Sequence, residues 1–146
     1  MEYIFTSNEF EICKCVKWDD VIEKINLESS LLEHKLLFHE NYVPTIALHT
    51  DFYPETIQHA YDEVKAKRDI TILHIYASFC KNAPTFGRHR DNLNVLLVQS
   101  IGKMSYLFDD GVEVQMKPGD SLFIRKEVYH NPIVHEPRVT LSFSWE

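Results

Sequence analysis

The chain holds only four glycines and three cysteines in 146 residues, too few for several common chemistries. A phosphate cradle of the Gly-x-Gly-x-x-Gly or Walker kind needs glycines at fixed spacing, and no such run occurs. Cys13, Cys15 and Cys80 are odd in number and form no paired-cysteine zinc motif, so a disulfide framework is not expected and a reducing cytoplasm is. Cys13-Lys14-Cys15 reads as two small residues of an alternating strand. A serine nucleophile elbow is also missing. No apolar run approaches the roughly eighteen residues of a membrane span, and Met1-Glu2-Tyr3-Ile4 lacks the basic and apolar regions of a secretory leader. Positive charge is in deficit, 15 Lys and Arg against 22 Asp and Glu, a net charge of −7. Neither nucleic acid nor an anionic membrane is therefore an expected partner. Metal chemistry is the class of activity left standing.

An apolar content of 45% and a charged content of 25% are those of an ordinary globule. One domain over 1–146 is expected, with strand and helical elements in 1–69 and a β core in 70–146. Glu2 to Thr6 and Phe10 to Lys17 alternate as short strands. Asp20 with Glu23 resembles a capping box opening a helix that reaches about Lys35, with Val21, Ile22, Ile25 and Leu32 as its apolar stripe. A second helix starts near Pro54 and packs through Ile57, Ala60, Tyr61 and Val64. From Ile70 the period becomes two. Thr71, Leu73, Ile75, Ala77 and Phe79 share one face of a strand, and His74, Tyr76 and Ser78 the other. His89 to Gln99 is predicted as a strand with Asp91, Leu93, Val95 and Leu97 on the His89 face. Lys103 to Phe108 and Val112 to Met116 flank the hairpin signal Asp109-Asp110-Gly111. Lys117-Pro118-Gly119-Asp120 is a tight turn before Ser121 to Ile124, and Arg138 to Trp145 closes the chain. Five or six short strands with tight turns predict an antiparallel jelly roll with the helices outside.

His89-x-Asp91 and His130 are the residues most suited to a metal. Side chains two apart on a strand leave the same face, and a neighbouring strand brings His130 alongside. Two imidazoles and one carboxylate on one side of an octahedral ion leave the opposite positions open, the ligand set of non-haem Fe(II) oxygenases. His135 follows His130 by five residues and is read as a loop residue. His74 and Tyr76 share a face that lines a cavity or serves as satisfied core polar groups, and His34, His39, His49 and His59 are read as structural. Asn94 and Gln99 receive no role.

From Gly87 to Trp145 the pattern resembles the cupin superfamily. Pro118-Gly119-Asp120 through His130 is similar to the second cupin motif with its glycine-to-histidine spacing intact. Arg125-Lys126-Glu127 stands where that motif has Pro-x-Gly, and its asparagine after the histidine is absent. The first cupin motif supplies two histidines and a glutamate; here Asp91 takes the second histidine's place and the glutamate position falls near Val95. That substitution moves the likeness towards the JmjC-like and other 2-oxoglutarate-dependent oxygenases, whose folds are double-stranded β-helices.

The resemblance implies Fe(II) on His89, Asp91 and His130, and 2-oxoglutarate as cosubstrate. Its far carboxylate falls to one of two competing anchors. Lys103 follows Gly102 as a lysine follows a glycine in the JmjC segment, and Arg138-Val139-Thr140 is similar to the Arg-x-Ser/Thr pair of other oxygenases. A guanidinium suits a carboxylate because two parallel N–H donors match its two oxygens. Arg138, Thr140, Ser142 and Ser144 share one strand face, which meets either water or the barrel interior; the direction of Arg138 decides between them. Tyr76 is a further candidate donor to the cosubstrate. The expected activity is hydroxylation of a small molecule or a protein, with Arg88 and Arg90 hinting at an anionic group. A metal cupin with other chemistry, or a binding or structural module without a catalytic metal, remains an alternative. Association as a homodimer is allowed.

Overall fold

The computed structural model describes residues 1–27, 36–39, 42–48 and 50–146, with backbone alone for 36–39 and 42–44. Among them the strands are β1 (Tyr3–Thr6), β2 (Leu36–His39), β3 (Tyr42–Leu48), β4 (Ile72–Ser78), β5 (Asn94–Ile101), β6 (Met104–Phe108), β7 (Glu113–Met116), β8 (Ser121–Ile124), β9 (His130–Val134) and β10 (Arg138–Trp145). The helices are α1 (Trp18–Leu27) and α2 (Glu55–Lys67). Seven strands form one antiparallel sheet in the order β1-β8-β5-β10-β4-β3-β2, and β7-β6-β9 form a second. Strands β1, β2 and β3 thus bring the first half of the chain into the same sheet as the second. None of the described helices is long and apolar enough to cross a membrane.

Three layers follow from the two-residue period of the large sheet. Leu73 and Ile75 of β4, Leu96 and Val98 of β5, and Leu141 and Phe143 of β10 form one cluster with Val21 of α1 and Ile57, Ala60 and Val64 of α2. Each such side chain, fully buried, contributes about 1.5–3 kcal/mol. The opposite face of the same sheet looks towards the small sheet, where Val95, Leu97, Leu122 and Ile124 meet Met104, Tyr106, Phe108 and Met116. Both faces are covered, so β5 and β10 are buried almost throughout.

Three predicted elements need correction. Phe10 to Lys17 is no strand: Glu11–Cys15 is a 3-10 helix, and the buried Phe10, Cys13 and Val16 recur every three residues, the period of that helix. Helix α1 begins at Trp18, two residues before the predicted cap. Asp20 does cap, from inside: its Oδ2 accepts from the Lys17 backbone N–H at 2.8 Å, the reach-back half of a capping box. The remainder of that predicted helix, with Leu32 and Lys35, lies outside the described residues, as do His34 and His49. The third correction is the strand predicted from His89, which starts only at Asn94. His89 instead makes an isolated bridge to His130, N–H to carbonyl in both directions at 2.9 and 2.8 Å. Strands β2, β3 and β9 have no counterpart in the prediction.

Two turn positions fix the ends of these strands. Gly102, at φ +72, leaves no room for a Cβ against the Pro137 carbonyl. Glu127, at φ +67, holds the same left-handed conformation without being glycine, at the position where the second cupin motif has one.

Candidate metal centre

His89, Asp91 and His130 each offer one ligand atom, and those atoms lie within 4.8 Å of one another. His130 sits at the start of β9 and is held beside His89 by the reciprocal backbone bridge. Asp91 is fixed from the far side, where its carbonyl accepts from the Glu127 N–H at 2.7 Å. The left-handed turn at Glu127 therefore helps to set the position of the carboxylate.

Tautomers follow from the backbone. His89 Nδ1 stands 2.7 Å from the Gly87 carbonyl, and His130 Nδ1 stands 3.0 Å from the Val128 carbonyl. A carbonyl only accepts, so both rings donate through Nδ1–H and keep their Nε2 lone pairs unprotonated. Those Nε2 atoms face Asp91, His89 at 3.8 Å from Oδ1 and His130 at 3.5 Å from Oδ2. This is how metal-binding histidines are oriented, by a carbonyl behind the ring. Burial lowers the His130 pKa first; the Val128 carbonyl opposes the shift, and nearby His89 adds to it. A neutral imidazole is the ligand form. The three donors fit a divalent ion.

The triad opens on a cavity of about 480 Å³ between the sheets. Tyr76 and His74 of β4, Leu97 of β5, and Arg138, Ser142 and Ser144 of β10 line it. Arg138 thus points into the barrel, and the polar face of β10 meets the interior rather than water. Arg138 is 3% exposed. Its Nε donates to Ser78 Oγ at 2.9 Å, and one terminal nitrogen donates to Thr140 Oγ1 at 2.9 Å and meets Met104 Sδ at 3.2 Å. Thr140 in turn donates a hydrogen bond to Gln99 Oε1 at 2.8 Å, and Gln99 is fixed by donating to the Ile101 and Gly102 carbonyls. No carboxylate among the described residues pairs with Arg138, and burial lowers its pKa. A buried cation held by neutral acceptors leaves room for an anion from outside. Burial also pushes the Tyr76 hydroxyl up to about 12, so it stays protonated and able to donate.

Other candidates fall elsewhere. Lys103 and His135 line a second cavity, with Phe5 and Met116, and not the triad cavity. His135 Nε2 is 2.7 Å from Ser105 Oγ. Arg88 pairs with Asp109 and lies 3.8 Å over the Tyr129 ring, while Arg90 pairs with Glu127 at 3.1 Å. Neither arginine lines the triad cavity. His59 is exposed beside Glu55 on α2. Sequence reasoning assigned nothing to Ser78, Met104 or Gln99, the residues that hold Arg138 and Thr140; only the pairing of β4, β5 and β6 with their neighbours brings them together.

These features define a jelly roll of the cupin type carrying a candidate His-Asp-His metal centre. A search of protein-family models and of curated protein sequences finds no match. Solved structures do resemble the chain. YcfD, a ribosomal oxygenase from Escherichia coli, superposes with a TM-score of 0.58 and 18% identity, over 75% of this chain and 33% of that one. The same protein in complex with cobalt and 2-oxoglutarate gives 0.58 and 17%, over 75% and 35%. The SPY1581 protein of unknown function from Streptococcus pyogenes gives 0.51 and 10%, over 70% and 74%. This chain spans about a third of the length of the YcfD chains. At these identities the likeness establishes the fold.

Proposed function

We propose that the chain is the jelly-roll part of a non-haem Fe(II)- and 2-oxoglutarate-dependent oxygenase that hydroxylates a small molecule or a protein side chain. A metal triad alone serves many reactions on this fold. The observation that carries the reading further is Arg138, a buried guanidinium without a carboxylate partner among the described residues, facing the same cavity as the triad. Lys103, on the second cavity, is set aside as the anchor.

His89, Asp91 and His130 would hold the iron through two Nε2 atoms and one carboxylate oxygen. Iron with bound 2-oxoglutarate supplies the activation of dioxygen that a C–H hydroxylation needs. Arg138 binds the far carboxylate of the cosubstrate, and Thr140 orients the guanidinium through the 2.9 Å bond it accepts. Gln99 in turn fixes Thr140, so the anchor is rigid before the anion arrives. Tyr76 donates to the same anion from β4. Leu93, Val95 and Leu97 present an apolar wall that excludes water from the reacting space.

Anaerobic loading with Fe(II) and 2-oxoglutarate, followed by oxygen, tests the reading without a target. Slow release of succinate, lost in Asp91→Ala, is the expected result. Retained iron with no succinate would assign the site to other metal chemistry.

A further inference from the structure

Beyond Arg138 and Thr140 the inner face of β10 carries Ser142 and Ser144. Both line the triad cavity and are 5% and 7% exposed. Among the described residues neither hydroxyl has a hydrogen-bond partner, and neither is sealed in protein. Their neighbours behave differently. Thr45 and Ser78 bond each other at 2.8 Å, Arg138 bonds Ser78 and Thr140, and Thr140 bonds Gln99. The inward side chains of the strand are thus hydrogen-bonded at its Arg138 end and without protein partners at Ser142 and Ser144. A cavity-facing hydroxyl without a protein partner is left to water, which a ligand group offering the same hydrogen bonds replaces.

The charge of the cavity narrows what that ligand is. Among its described lining residues Arg138 is the sole Lys or Arg, and Asp91 the sole carboxylate. Among the described lining residues a target carboxylate at the serines would meet no Lys or Arg other than Arg138, His74 opposite Ser142 already having a partner, and a target ammonium would meet no carboxylate other than the metal ligand. Each hydroxyl offers one donor and two acceptor sites. Ser142 and Ser144 sit about 6.8 Å apart along an antiparallel strand, with Val95 and Leu97 of β5 facing the same space. We propose that Ser142 and Ser144 form the target-binding subsite, and that it takes an uncharged group bearing both a hydrogen-bond donor and an acceptor, a carboxamide in the simplest case. Calling the ligand a target rests on the oxygenase reading; its binding needs only the cavity.

The test uses N-acetylasparagine methylamide as probe, with the corresponding aspartate and lysine compounds as charged controls. Binding is measured by calorimetry on the full chain with Zn(II), and again without metal. The carboxamide is expected to bind at least about tenfold more tightly than either charged compound, and the double variant Ser142→Ala/Ser144→Ala to lose about tenfold, as two neutral hydrogen bonds imply. The variant should melt no lower than the wild type, because no protein partner is lost. Equal affinity in the variant, equal binding of a charged compound, or a lower melting temperature would overturn the subsite. Serine-dependent carboxamide binding in a protein that takes up no 2-oxoglutarate would leave the subsite standing and sink the oxygenase reading. Binding of 2-oxoglutarate with carboxamide affinity indifferent to the serines would do the reverse.

Discussion

Arg138→Met should move stability and ligand affinity in opposite directions. The wild-type guanidinium is buried, pairs with no carboxylate among the described residues, and is held by Ser78, Thr140 and the Met104 sulfur. Methionine fills much of the same space without a charge. Its arrival strands little, since Ser78 keeps Thr45 at 2.8 Å and Thr140 keeps Gln99 at 2.8 Å. Two charge-assisted hydrogen bonds at about 1.5 kcal/mol each and a sulfur contact are lost, while a desolvation penalty of several kcal/mol is removed. The balance favours the variant by about 1–2 kcal/mol, a rise of about 2–6 °C in melting temperature for a domain of this size. Binding of 2-oxoglutarate should fall by about 2–4 kcal/mol, or thirty- to a thousandfold, because a buried charge-assisted contact disappears. Thermal melts of the metal-free protein and calorimetric titration of 2-oxoglutarate measure the two effects. A melting temperature lowered by more than about 3 °C, with 2-oxoglutarate affinity unchanged, would refute the reasoning and make Arg138 a structural residue.

Two other predictions concern the supports of the triad. Glu127→Gly relieves the left-handed backbone at φ +67 and gives up only the half-exposed ion pair with Arg90. It should stabilise the fold by about 0.5–1 kcal/mol, and a lower denaturation midpoint would contradict the account. Burial holds the folded His130 pKa below the 6.5 of the free side chain, so between the two values the unfolded chain binds more protons. Stability of the metal-free protein should therefore be full above pH 6.5 and decline as pH falls through the folded value. Denaturant titrations across pH 7 to 5 check this, and His130→Gln should flatten the decline; a slope untouched by that substitution would contradict the sign.

The strand alternation of β4 and β10 was legible because each face of the large sheet meets a different layer. Leu73, Ile75, Leu141 and Phe143 meet helices, while Tyr76, Arg138 and Ser142 meet a cavity. The sequence period assigns the two faces but not which of them is wet. That distinction needed the small sheet, which lies over the polar side of β10. The triad was legible through spacing, although the reason differed from the one inferred. His89 and Asp91 precede the strand, and backbone bridges to His130 and Glu127 place them. Such bridges join residues some forty apart and leave no local periodicity. The 3-10 helix at Glu11–Cys15 was obscured because Ile12 and Cys15, which lie off its buried face, complete an apparent alternation with Phe10 and Cys13. Lys103 and Arg138 competed as anchors on motif grounds; after the turn at Gly102, Lys103 lines another cavity.

The central claim is most directly tested by anaerobic titration of the Fe(II)-loaded protein with 2-oxoglutarate, following the visible metal-to-ligand charge-transfer absorption. A saturable band that disappears in His130→Ala and weakens in Arg138→Met is the predicted result. Iron bound without that band would contradict a 2-oxoglutarate-dependent oxygenase, and failure to bind iron at all would contradict the metal centre itself.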